Sequence, residues 1–169
     1  MWKSIIAALC LVAIGCAPGA QAEVAQPAPE FVGIGQWHNS PPLSLAGLKG
    51  KVVLVEFWTY SCINCIHVMP YVKQWHQTYQ DQGLVVVGVH TPEYPEEGSA
   101  ANVRAAIQRF GIRYPVAQDN GYKTWNAYGN RFWPAVYLID RDGRVVYRHY
   151  GEGAYDVTEA RIRQLLAKP

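Results

Sequence analysis

Two apolar runs, KVVLVEFW at residues 51–58 and LVVVGVH at residues 84–90, constrain this chain more than anything else in it. Both are nearly continuous and rich in β-branched side chains, the composition of strands buried on both faces. Between them the period changes. Cys65, Val68, Met69, Val72, Trp75 and Tyr79 recur at three- and four-residue spacing. That spacing predicts an amphipathic helix over residues 62–81, ending before Gly83. Two buried strands joined through a helix make a right-handed parallel βαβ unit.

The rest of the chain extends this unit. A helix is predicted over residues 99–110, with Val103, Ile107 and Phe110 on one face and Gly111 as its stop. A short strand at 114–117 and a short helix at 122–128 follow. Residues 134–140 (PAVYLID) and 144–150 (RVVYRHY) flank Asp142-Gly143, a strong hairpin signal. The last helix starts at a capping box of Asp156 and Glu159 and turns Ile162, Leu165 and Leu166 inward. The expected fold is one α/β domain, a central mixed sheet flanked by helices, with an inserted helix–strand segment. The size agrees, since 169 residues with 50% apolar content suit a single core. A net charge of +2 gives no electrostatic case for nucleic acid.

The N-terminus has the layout of an address. Met1-Trp2-Lys3-Ser4 is positively charged, residues 5–14 are apolar, and Ala20-Gln21-Ala22 supplies an Ala-x-Ala cleavage site. This predicts a signal peptide over residues 1–22 and an exported, extracytoplasmic protein. The apolar run is too short to cross ~30 Å of hydrocarbon as a helix. A second processing site competes with the first. Ala13-Ile14-Gly15-Cys16 resembles a bacterial lipoprotein signal, in which Cys16 would carry a lipid anchor; Ala13 stands where Leu is usual. Residues 23–30 read as a flexible Ala/Pro-rich segment, and residues 31–169 as the folded domain.

Of four cysteines, Cys10 and Cys16 fall in this leader, which leaves Cys62 and Cys65 to the domain. A cross-link over two intervening residues constrains the unfolded chain little, so chemistry is favoured over stapling. Residues three apart on a helix share a face, which lets the two sulfurs reach disulfide distance. Cys62 falls at the predicted helix N-terminus, where free N–H groups and the macrodipole stabilise a thiolate. Cys65 lies one turn deeper, in the apolar stripe. Cys62 is therefore expected to be the exposed nucleophile and Cys65 the shielded resolving thiol. Zinc would want four ligands, and only His67 follows nearby. Haem attachment needs a histidine where Ile66 stands. A copper site with His67 or His90 as third ligand remains a weaker alternative. No cofactor or metal is called for by the redox reading.

The segment FWTYSCINC at residues 57–65 resembles the active-site segment of the thioredoxin superfamily. Pro70 matches that family's kink proline, and RFWPAV at residues 131–136 resembles the stretch that carries its cis-proline. Residues 43–53 and the inserted segment resemble the TlpA-type branch. The strings WTYSCINC, GVHTPE, YPVAQDN and WNAYGNRFWPA are most similar to the thioredoxin-like domain at the C-terminus of DipZ proteins. The likeness runs from about residue 31 to residue 166 and implies a thioredoxin-like fold.

The resemblance also implies roles. Glu56 occupies the family's buried-acid position, from which a carboxyl of raised pKa would exchange a proton with Cys65. Pro134, if cis, would present the Trp133 backbone to an extended substrate, and Trp133 itself departs from the commoner Thr or Val. Ser61 replaces the tryptophan of thioredoxins beside the first cysteine and would shape the substrate surface. His90, at a parallel strand's carboxyl end, would line the groove with Glu93 or tune the thiolate. The other histidines, His38, His76 and His149, read as solvated surface. Trp125, Tyr128, Phe132 and Trp133 read as core.

Together these features predict an extracytoplasmic thiol–disulfide oxidoreductase acting on protein thiols and disulfides. The dipeptide Ile63-Asn64 adds no histidine beside the thiolate, and strong oxidants owe their power to an over-stabilised reduced form. A reductant is therefore expected. No segment here resembles the electron-carrying membrane domain of DipZ proteins, so a separate membrane electron donor is expected as partner. A peroxiredoxin-type thiol peroxidase is the alternative, because Thr59 and Cys62 satisfy its Thr-x-x-Cys element. Val55 stands where that motif wants a proline.

Overall fold

The computed structural model describes residues 25–168. The expected signal peptide, Cys10 and Cys16 lie outside the described residues. Among the described residues, no helix is long and apolar enough to cross a membrane.

The βαβ unit forms where the period changed. The first run is strand β3 (Val52–Trp58), the amphipathic stretch is helix α1 (Ile63–Tyr79), and the second run is β4 (Leu84–His90). Every residue of β3 is buried, as expected of a strand covered on both faces. Gly83 closes the short turn after α1 with a left-handed backbone, φ 102°. Helix α2 (Ala100–Phe110) is capped by the Ser99 hydroxyl, which accepts the Asn102 N–H, and ends at Gly111 in the left-handed region. Strand β5 (Val116–Gln118), helix α3 (Lys123–Ala127), the hairpin β6 (Ala135–Ile139) and β7 (Arg144–Tyr150), and helix α4 (Tyr155–Leu166) complete the expected order.

Two short strands add to this frame: β1 (Gln26–Pro27) and β2 (Gln36–His38). The seven-stranded sheet runs β1-β7-β6-β3-β4-β5-β2. Strand β3 is central, parallel to β4 and antiparallel to β6. The sheet thus starts within the segment expected to be flexible: Gln26–Pro27 pairs with β7, and the Ala28 N–H donates to Gly143 O at 2.9 Å.

Side-chain alternation along β3 divides the core. Val52, Leu54 and Trp58 pack with α1, α2 and α4, while Val53, Val55 and Phe57 face α3 and the N-terminal loops. By the same alternation Glu56 points to the α1 side, the side of Cys65.

Two expectations need correction. Helix α4 has no capping box: its N-cap is Ala154 in the left-handed region, and no side chain caps it. Glu159 instead accepts the Tyr79 hydroxyl at 2.6 Å, tying α4 to α1. The strand expected at 114–117 begins at Val116, because Pro115 has no N–H for the ladder and Tyr114 turns into the α1-side core.

Candidate active site

The carboxyl end of β3 hands over to α1 at Cys62, which is the helix N-cap in extended conformation. Its sulfur accepts the Cys65 N–H at 3.2 Å, so one free donor of the helix N-terminus is aimed at it. Cys62 and Cys65 are joined as a disulfide with Cα atoms 5.3 Å apart. Cys62 is half-buried and Cys65 is wholly buried among Val68, Met69 and Trp58. The gradient of exposure is the one expected from the helix position.

Glu56 is fully buried on this side of the sheet. Its Oε2 accepts the Tyr114 hydroxyl at 3.0 Å, and its Oε1 has no hydrogen-bond partner among the described residues. Burial pushes its carboxyl from 4.5 up to about 8, with the Tyr114 bond pulling the other way. A carboxyl with a pKa in that range can hold or release a proton near neutral pH. Tyr114 itself, equally buried and facing that carboxyl, is pushed well up. Behind the pair, Gly88 leaves room for the Trp58 indole, whose Nε1 would lie 2.9 Å from an added Cβ.

Strand register brings Pro134 to the same end of the sheet, since Ala135 pairs with Phe57. The Trp133–Pro134 peptide is cis. Trp133 is half-buried, with its ring against Trp125 at 4.1 Å and its indole N–H donating to Thr91 O at 3.0 Å. Asn130 braces this turn, accepting the Tyr137 hydroxyl and donating to Phe132 O, each at 3.0 Å. Phe132 is not core: it is 53% exposed. Ile63, next to Cys62, is 60% exposed.

His90 is at the strand end as expected but fully buried, so it presents no surface to a substrate. Its ring meets Trp58 edge-on at 5.0 Å and stacks on Tyr60 at 5.6 Å, and its Nε2 lies 3.3 Å from the Thr59 hydroxyl. Burial lowers its pKa to about 4, against the pull of Glu97, so it is neutral at pH 7. Thr59, the peroxidase-like threonine, is fully buried in this contact. Glu93 is exposed. Among the supposed surface histidines, His38 is buried beside Gln118 and His76 is half-buried beside Tyr114.

Ser61 is exposed, but its hydroxyl and N–H both donate to Glu97 Oε1. Sequence reasoning missed Glu97. It is one of three acids in a short loop, and only its place three residues after Tyr94, behind Pro95, hinted that it folds back on the chain. Among the described residues no cluster of His, Cys, Asp and Glu is arranged to hold a metal ion.

A buried acid beneath a helix-capping cysteine pair, on a central strand flanked by a cis-proline strand, defines a thioredoxin-like domain with a cysteine pair at its site. The chain belongs to the Redoxin family, whose model matches residues 23–166. It is 52% identical over 160 residues to DipZ of Mycobacterium tuberculosis, covering 91% of this chain and 23% of that protein. The thiol–disulfide oxidoreductase YkuV of Bacillus subtilis is 29% identical over 143 residues, 85% of this chain and 96% of YkuV. Among solved structures, the thioredoxin-like superfamily protein SPOA0173 superposes with a TM-score of 0.80 at 31% identity, over 86% of this chain and 99% of its own. The chain thus spans about a quarter of the DipZ protein it matches.

Proposed function

We propose that this protein is an extracytoplasmic reductant of protein disulfides. The observation that supports thiol–disulfide exchange most is the position of Cys62, half-buried at a helix N-terminus while Cys65 lies buried one turn below. The reducing direction rests on Ile63-Asn64, which adds no histidine beside the thiolate. In the reduced protein the Cys62 thiolate attacks a substrate disulfide. One S–S bond forms, the substrate S–S bond breaks, and the departing substrate thiolate takes up a proton. Glu56 accepts the Cys65 proton, and the Cys65 thiolate attacks the mixed disulfide at Cys62. The second substrate thiol leaves, and Cys62–Cys65 remains as the disulfide with two electrons transferred.

Trp133, Pro134 and Ser61 form the substrate-facing surface around Cys62, extended by the exposed Ile63 and Phe132. An apolar surface of this kind suits an extended protein segment better than a small peroxide. His90 acts from beneath, through Thr59 and Tyr60, rather than by touching substrate. A separate membrane dithiol donor restores the reduced pair, and a lipid at Cys16 would hold the domain close to it.

The test is Cys65→Ser, which removes the resolving thiol. Incubation with a disulfide-bonded protein is expected to accumulate mixed disulfides through Cys62, visible on non-reducing gels and absent in Cys62→Ser. No trapped species with any exported protein would contradict the assignment of Cys62 as nucleophile.

A further inference from the structure

The turn that carries Cys62 is clamped from outside α1. Glu97 lies on the short turn Pro95–Gly98 after β4 and is only 1% exposed. Its carboxylate joins two stretches of backbone. Oε1 accepts the Ser61 hydroxyl, and the Ser61 N–H at 3.3 Å. Oε2 accepts the N–H groups of Glu93 at 2.6 Å and Tyr94 at 3.1 Å. The buried Thr59 hydroxyl is a further donor. These donors are all neutral, so they favour the ionised carboxyl without cancelling its charge. Burial works to raise the Glu97 pKa, and the hydrogen bonds outweigh it and hold the carboxyl below the ordinary glutamate value.

Ser61 directly precedes Cys62, so this fixed charge is hydrogen-bonded to the residue next to the nucleophile. Two fields therefore meet at Cys62. The α1 N-terminus and the Cys65 N–H favour a thiolate. A neighbouring carboxylate in a water-poor setting disfavours it. The remaining acids of the loop, Glu93 and Glu96, point into solvent and are screened, and His90 is neutral.

We propose that Glu97 is a positioning residue that fixes a negative charge beside Cys62 and thereby keeps the Cys62–Cys65 pair reducing. This rests on the pair being a redox couple, as proposed above. In exchange with glutathione, the protein disulfide and two glutathione thiols give the protein dithiol and one glutathione disulfide. Whatever stabilises the Cys62 thiolate pushes that equilibrium toward dithiol and makes the protein an oxidant. The helix N-terminus pushes in that direction and Glu97 opposes it.

The test titrates Cys62 in the reduced full chain by its alkylation rate against pH, with the modified peptide identified by mass. The parent thiol is expected to titrate no lower than about 7, although it caps a helix. Glu97→Gln should lower that value by about one unit. Above the thiol pKa it should also shift the glutathione equilibrium about tenfold toward dithiol, about 30 mV. Glu97→Asp keeps the charge and should stay near the parent, and Ser61→Ala removes the hydroxyl bond of the clamp but keeps the charge and should not lower the value. An unchanged Glu97→Gln overturns the proposal, as does a Ser61→Ala that drops equally, which would make the clamp structural only. If Glu97→Gln does not fold, the parent titration decides, and a value below about 7 overturns it. A parent that does not exchange with glutathione at all removes the redox couple itself, a failure distinct from an exchanging parent indifferent to Glu97.

Discussion

Glu56→Gln separates a buried proton carrier from an ordinary strand residue. The carboxyl is fully buried, has one unpartnered oxygen, and is held at about 8 against 4.5 in the unfolded chain. The folded state therefore keeps a proton that the unfolded state releases. The stability contribution is fully present below about pH 4.5 and is lost as pH rises through about 8. At about 1.4 kcal/mol per pH unit, the loss reaches ~5 kcal/mol once both states are ionised. Glutamine removes the titration and can still accept the Tyr114 hydroxyl. Its amide N–H₂ replaces an oxygen that has no partner, a cost of about 1–3 kcal/mol independent of pH. The variant should be less stable than the parent near pH 5 and more stable near pH 8.5, with the curves crossing between. Urea unfolding of the disulfide-bonded protein across this range, followed by tryptophan fluorescence, measures the difference. A difference that stays flat with pH would refute the burial argument and the proton role built on it.

Two further substitutions probe the same layer. Tyr114→Phe removes the hydrogen bond that pulls the Glu56 pKa down, so Glu56 should keep its proton to higher pH and stability should fall by about 1–2 kcal/mol. The pH profile for resolving the Cys62 mixed disulfide should then move to alkaline pH; an unmoved profile would separate Glu56 from Cys65. Gly88→Ala would set a Cβ 2.9 Å from Trp58 Nε1 and 3.0 Å from a Tyr114 ring carbon, both fully buried, and should cost about 1–3 kcal/mol in urea unfolding. A loss below about 0.5 kcal/mol would show that this layer has slack.

The βαβ core was legible because periodicity is a packing signal: β3 and β4 are buried on both faces, and α1 buries the stripe Cys65, Val68, Met69, Val72, Trp75 and Tyr79. The placement of the two cysteines, Cys62 capping α1 and Cys65 in its buried stripe, followed from their spacing. Strands β1 and β2, two and three residues long, were not read from the sequence and are defined by their partners β7 and β5. The depth of Glu56 came from the family resemblance, but its partner Tyr114 is 58 residues away and belonged to no local pattern. His38 and His76 looked like surface because burial of a lone polar residue is decided by neighbours distant in sequence. Glu97 is the sharpest case. Three acids stand in one loop with nothing local to tell them apart, and only the chain's return to Ser61 turns one of them inward.

The measurement that tests the account most directly is the reduction potential of the Cys62–Cys65 pair, by equilibration with thiol–disulfide buffers. A reductant fed by a membrane donor should lie near thioredoxin's value, about −270 mV. A potential near DsbA's, about −120 mV, would make the protein an oxidant and contradict both the proposed direction of electron flow and the opposing charge at Glu97.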